Sequence, residues 1–342
     1  MKPVFYAFLT ALAGVGIFHL LDLPLPWLMG PIIACLIAAL SGVPMRGVAS
    51  LNAGMRTILG VAVGATLTPT VLATFPAMWP TLLMVPLMVV CIGVSGIPYF
   101  RRIWGYDAPT SYYAAMPGGL QDMILFGEEA GANVRSMSLI QATRVLVIVV
   151  ALPFLMKGIW EASLSDPPGV PMTSLPASQL LLMVVCAIAG WWAAKAVGLF
   201  GASILGPMIV AAIVTLAGFL EHRPPAEAIW AAQFFIGLSI GSRYTGITGH
   251  EVRRDLVAGL GFCVILMILT VAFVEVILLL DLAPGMEALL AFAPGGQAEM
   301  TVLALVVGAD VAFVVSHHVL RLVIVILGAP LVAGVVRPKP RD

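Results

Sequence analysis

The chain has 342 residues, 61% of them hydrophobic and only 10% charged, and its 17 Lys and Arg are balanced by 17 Asp and Glu. A soluble domain carries about 25% charged residues, so a soluble enzyme, a nucleic-acid-binding domain and a disordered regulator are excluded as readings of the whole chain. Zero net charge leaves no basic patch for phosphate backbones, and the composition is that of a multi-pass inner-membrane protein in contact with lipid bilayer and not with nucleic acid.

A membrane helix needs about 20 mostly apolar residues. In chain order such runs cover 4–22, 26–43, 53–72, 79–99 and 137–157. Between the last two, the stretch 108–134 is interrupted by Pro117-Gly118-Gly119. Residues 161–179 form a polar linker, with Pro167, Pro168, Pro171 and Pro176 among serines. The runs resume at 178–198, 202–220, 227–244, 256–280 and 312–335, with a second interrupted stretch at 285–311 around Pro294-Gly295-Gly296. An Ala-Leu-Ala stands at 11–13, but the apolar stretch before it is short for a signal peptide, so the run from Val4 to Leu21 reads as an uncleaved first helix. Cys35, Cys91, Cys186 and Cys263 all lie in apolar runs with no CxxC or CxxH pairing, so they read as packing residues, with no metal site and no cofactor implied.

The two halves repeat. Trp27–Ile33 matches Ser203–Ile209 at an offset of 176, sharing Gly-Pro. The pair Gly60 and Gly64 matches Gly237 and Gly241 at 177, and Pro117–Met123 matches Pro294–Met300 at the same offset. Arg144 matches Arg321 and Pro153 matches Pro330, again at 177. A constant offset over so long a stretch means two copies of one unit. The domains expected are a first repeat at 1–160, the linker 161–179, a second repeat at 180–336 and a basic tail at 337–342.

Loop charge bears on orientation, because Lys and Arg stay cytoplasmic. If each Pro-Gly-Gly segment is a re-entrant hairpin, the second copy is inverted and the inside-to-outside tally of loop cations is 12 to 2, with only Lys157 and Arg223 outside. If those segments cross fully, the copies are parallel and the tally worsens to 10 to 4. The fold expected is therefore all-α and integral to the membrane, with two inverted repeats of about five helices, each with an interrupted hairpin or a broken helix. The linker is expected to be periplasmic.

In hydrocarbon every backbone group must be paired, so an interruption is tolerated only where protein or a water-filled cavity supplies partners. Two symmetric interruptions point to a binding site near the midplane. Gly118, Gly119, Gly295 and Gly296 would let backbone approach a solute, and the helix starts that follow suit an anion. The plainer reading is a kink that only lets helices pack. Asp122 and Glu299 are equivalent acids that either couple transport to a proton or cation or complement a helix dipole. Gln121 and Gln297 are polar neighbours at different repeat positions, since Gln297 matches Leu120.

Arg144 and Arg321 each sit in a long apolar helix, where an arginine costs about 2.5–3.5 kcal/mol on insertion scales and normally has a partner. Gln141 lies three residues before Arg144, His318 three before Arg321 and His317 four before it, while Asn133 and Asp310 precede their arginines by eleven, about three turns if the helix reaches them. The arginines form either cationic walls for a carboxylate or structural ion pairs with nearby acids. His317 and His318 could relay protons. The GxxxG pairs suit close packing, internal or in a homodimer.

The duplicated Gly-Pro helix, the duplicated GxxxG helix and the motif Pro-Gly-Gly-x-x-acid-Met resemble the AbrB family of bacterial membrane proteins over about residues 10 to 336. Members carry names such as ammonia monooxygenase and regulator of gene expression, and they are sometimes grouped with secondary transporters of inverted-repeat design. The resemblance implies the fold more than the activity. A copper or iron monooxygenase needs clustered ligands, and of the five histidines only His317 and His318 adjoin. The reading is thus not an enzyme but a secondary transporter in the bacterial inner membrane, working by a rocking or elevator shift of the motif-bearing helices. Gly118, Gly119, Gln121, Arg144, Gly295, Gly296, Gln297 and Arg321 would bind a small, carboxylate-like solute, and Asp122, Glu299, Asp310 or His318 would couple it to a proton or cation. The alternative is a membrane sensor that affects gene expression indirectly; a membrane monooxygenase comes last.

Overall fold

The computed structural model describes residues 2–161, 164, 168–199, 201–246 and 250–336. Part of the linker and the tail at 337–342 lie outside the described residues, as do the side chains of Gln121 and Asp122. Among the described residues the chain is helical with no strand.

The first half runs α1 (Lys2–Leu20), α2 (Pro26–Leu40), α3 (Ala49–Gly64), α4 (Pro69–Thr74), α5 (Trp79–Pro98), α6 (Ala108–Ala115), α7 (Leu120–Glu129) and α8 (Val134–Trp160). The second half runs α9 (Ala177–Ala196), α10 (Ala202–Leu216), α11 (Ala226–Gly241), α12 (His250–Leu279), α13 (Gly285–Phe292), α14 (Gln297–Val307) and α15 (Val311–Val336). The sequence offset persists in the elements: α11 begins 177 residues after α3 (Ala226 against Ala49), and so does α13 after α6 (Gly285 against Ala108).

Six helices among the described residues are long and apolar enough to cross a membrane: α1, α5 with its flanking turns (Phe75–Ile103), α8, α9, α12 from Arg253, and α15 to Gly328. Four of the predicted spans are shorter than hydropathy suggests, since α2 and α10 have 15 residues and α3 and α11 have 16. Local backbone chemistry ends two of them. Gly42 (φ +88°) and Gly218 (φ +81°) take the left-handed conformation, and the next amides, Val43 and Phe219, bond back to Ala38 and Val214 at 3.0 Å. Such a turn closes a helix even where apolar residues continue.

The chain forms two compact units, each of which draws on both halves of the sequence. The first is Met1–Pro76, Leu152–Ile247 and Ala298–Ala312; the second is Ala77–Ala151, Thr248–Gln297 and Phe313–Asp342.

In the first unit, α1 and α2 form an antiparallel hairpin in which Gly14 meets Gly30 and Ala7 meets Cys35. The α9–α10 pair repeats it, with Gly190 against Gly206. The GxxxG helices then pack crosswise. A Cβ on Gly60 would lie 2.3 Å from the Ile204 carbonyl oxygen, and one on Gly64 2.4 Å from that of Met208. Likewise a Cβ on Gly237 would lie 2.5 Å from the Leu28 oxygen and one on Gly241 2.5 Å from that of Ile32. A step of four residues on one helix is a step of four in the same sense on its partner, so α3 runs parallel to α10 and α11 parallel to α2. Only a residue without a side chain permits this approach of helix backbones. The start of α3 lies against the end of α11: the Asn52 amide donates to Ser239 Oγ (3.3 Å), and Gly47 faces Ser239 and Ser242.

In the second unit α5 lies along α12. Gly96 meets Phe262, the Tyr99 hydroxyl donates to the Ala258 carbonyl (3.0 Å), and the Tyr106 hydroxyl donates to Asp255. Advancing along α5 means retreating along α12, so the two are antiparallel. Burial, with the Asp255 carboxylate beside it, pushes the Tyr106 phenol above its ordinary value and keeps it a donor. Asp107 caps α6 by accepting from the Thr110 amide (2.7 Å). With 8 residues each, α6 and α13 are about 12 Å long, far short of a bilayer core.

Candidate functional site

Carbonyls in the last turn of a helix have no partner within it, and in a bilayer they must find one in the protein. Helix α6 stops where Met116 turns extended (φ −63°, ψ 132°), and α13 stops in the same way at Ala293 (φ −62°, ψ 126°). The Pro-Gly-Gly turns begin there. Arg144 of α8 and Arg321 of α15 supply the missing donors. Arg144 donates from Nη1 to the Met116 carbonyl (3.0 Å) and from Nη2 to that of Gly118 (3.5 Å). Arg321 donates from Nη1 to the Ala293 carbonyl (3.0 Å) and from Nη2 to that of Gly295 (2.8 Å). One turn earlier, Gln141 Nε2 donates to the Tyr113 carbonyl, and His318 Nε2 bonds the Leu290 carbonyl (2.8 Å). Every member of one clamp matches a member of the other at the offset of 177.

This geometry revises how the sequence pairs the arginines. Gln141 and His318 do not partner Arg144 and Arg321; they hold the neighbouring carbonyl alongside them. The helices also do not reach Asn133 and Asp310. Asn133 caps α8 by accepting from the Ser136 amide (3.1 Å), and Asp310 stands exposed immediately before α15. Among the described residues no carboxylate pairs with either guanidinium.

Both arginines are buried, Arg144 at 2% and Arg321 at 4% exposure, so bulk water screens neither charge. They lie in the same compact unit. Each keeps Nε without a hydrogen-bond partner. Two buried cations in one compact unit, with no paired acid among the described residues, favour negative charge in a low-dielectric setting.

The remaining predicted residues fall as follows. Gly119 directly precedes α7 in an extended conformation (φ −64°, ψ 135°), and Gly296 directly precedes Gln297, which opens α14. Gln121 and Asp122 lie on α7, with side chains outside the described residues. Glu299 is buried in the first turn of α14 and belongs to the first unit, where Arg243 is its charged neighbour. The carbonyls of Tyr113, Met116, Leu290 and Ala293 escaped the sequence reading because every residue type carries that group. The signal that could have found them is the recurrence of a polar residue 28 positions after each.

Fold and site together define a multi-pass, membrane-type helical protein that carries two matching backbone breaks, each held by a buried cation. Over residues 27–337 the chain matches the family described as transition state regulatory protein AbrB. It belongs to the AbrB family. It is 28% identical to the protein YhjN of Bacillus subtilis (strain 168), a match covering 96% of this chain and 92% of the other. It is also 25% identical to a protein of Escherichia coli (strain K12) named for a regulatory role, AbrB, covering 95% of this chain and 93% of the other.

Proposed function

We propose that the protein is a secondary transporter of a small anionic solute, carboxylate-like, in the bacterial inner membrane. It is not an enzyme. The observation that carries this reading is the doubled clamp, in which two buried guanidiniums share one compact unit and, among the described residues, neither has a paired acid. Membrane-buried charge defaults to function because its cost must be offset. The motif turns, with Arg144, Arg321, Gly118, Gly119, Gly295, Gly296 and Gln297, form the solute site, joined by Gln121. Asp122, Glu299, Asp310 and His318 are the groups available for coupling to a proton or cation.

Inversion of the repeats is part of this reading, and helix directions support it. The opposed course of α5 and α12, equivalent helices of the two halves, is what inversion requires. Opposed copies let one fold present the same site to either side in turn.

The test is uptake of labelled small carboxylates into proteoliposomes. We expect saturable uptake that Arg144→Gln and Arg321→Gln abolish. No movement of any anion, with both variants folded and unchanged, overturns the proposal. A second reading, a sensor that binds a solute without moving it, draws on the regulatory name of the Escherichia coli relative. Expression changes in a deletion strain that a transport-dead variant reverses would favour it.

A further inference from the structure

Gln141 and His318 occupy one repeat position and hold equivalent carbonyls, those of Tyr113 and Leu290. They differ in what is left over. The spare Oε1 of Gln141 accepts hydrogen bonds but binds no proton near neutral pH. His318 faces a carbonyl oxygen with Nε2, so Nε2 carries the hydrogen and Nδ1 keeps its lone pair. Nδ1 is buried and has no hydrogen-bond partner. The duplicated clamp therefore contains a base in its second copy alone.

Arg321 and His317, both on α15, are the charged and titratable groups that act on this ring. Helix α13 bonds it through the Leu290 carbonyl and carries one titratable side chain, Glu287, in its first turn. The neighbouring His317 is engaged differently. Its Nδ1 bonds the Phe313 carbonyl of its own helix (2.7 Å) and its Nε2 is likewise buried without a hydrogen-bond partner, but its ring lies against Phe292 and Phe313, it holds no carbonyl of a motif turn, and its repeat counterpart is Ile140. A proton on His318 Nδ1 would place a further positive charge one turn from Arg321, in a buried setting where unpaired charge is costly. An anion drawn to the guanidiniums lowers that cost. Anion and proton then favour each other's binding, by the same factor in both directions.

Resting on the transport reading above, we infer that His318 is the proton-coupling residue and that each solute anion travels with one proton on Nδ1. The proton comes from hydronium on the side of entry, forms an N–H bond at Nδ1 and returns to water on the side of exit. Arg144 and Arg321 keep their charge throughout.

The experiment uses the full-length protein in proteoliposomes with labelled succinate as probe, comparing wild type, His318→Gln and His317→Gln. His318→Gln copies the first clamp and preserves the bond to Leu290. Counterflow without a gradient measures translocation; accumulation under an inward proton gradient measures coupling. Wild type and His317→Gln should accumulate the probe, up to about tenfold for one proton per solute across a one-unit pH gradient. His318→Gln should keep counterflow and show no accumulation. Accumulation by His318→Gln equal to wild type overturns the inference, and so does loss of both activities with an unchanged melting temperature, which would make the ring a clamp alone. Absence of counterflow in the wild type instead removes the transport reading on which the inference stands.

Discussion

The two compact units solve the membrane's packing problem in opposite ways. In the first, continuous helices approach until backbone meets backbone, and glycines at Gly14, Gly30, Gly60 and Gly237 make room. In the second, the backbone is broken twice and the broken ends are tied down by buried cations. Without a hydrophobic force between helices in lipid, close van der Waals contact is what holds the first unit together. The second gives up that economy at its two breaks. A fold that tolerates two such breaks, when it builds unbroken pairs elsewhere, has to supply partners for the freed carbonyls from its own side chains.

Substitutions can sharpen this contrast. The largest effect is expected at the clamps. Arg321→Met leaves the Ala293 and Gly295 carbonyls unpaired, at about 1–3 kcal/mol for each, so the melting temperature in detergent should drop steeply; an unchanged value would mean that the turn stands without the arginine. Next come the crosswise contacts. Gly60→Ala and Gly237→Ala each press a Cβ onto a helix carbonyl, and each should cost about 1–3 kcal/mol. The two losses should be similar, because the contacts are equivalent, and a large inequality would break the symmetry of the first unit. The smallest effect is a gain. Gly16 of α1 has nothing within 4 Å of an added Cβ, so Gly16→Ala should stabilise by about 0.5–1 kcal/mol in the same melting assay.

Much of this could be read from the sequence, and the reasons are physical. The duplication was visible because Gly, Pro and Arg at fixed offsets are residues that membrane helices carry only for cause. The six long helices announced themselves by length and apolarity. The short ones did not, since hydropathy continues past Gly42 and Gly218 while the helix stops there. The arginines were visible as costly groups, but their partners were not: a carbonyl leaves no mark in a sequence. Nor could the exchange of contacts between halves be seen. Gly60 reads the same whether it packs against its own half or the other, and only coordinates place it on Ile204.

Because α2 rests on α11 and α3 on α10, a ribosome finishes the first half while two of its helices still lack the surfaces they are shaped for. Until the later half is inserted, those glycine faces meet lipid alone. A gene divided within 161–179 should therefore yield fragments that are degraded when made singly and persist when made together, with the protease-resistant yield of each as the measure. The duplication would thus have fixed the order of synthesis as well as the shape, leaving the nascent chain dependent on residues not yet translated.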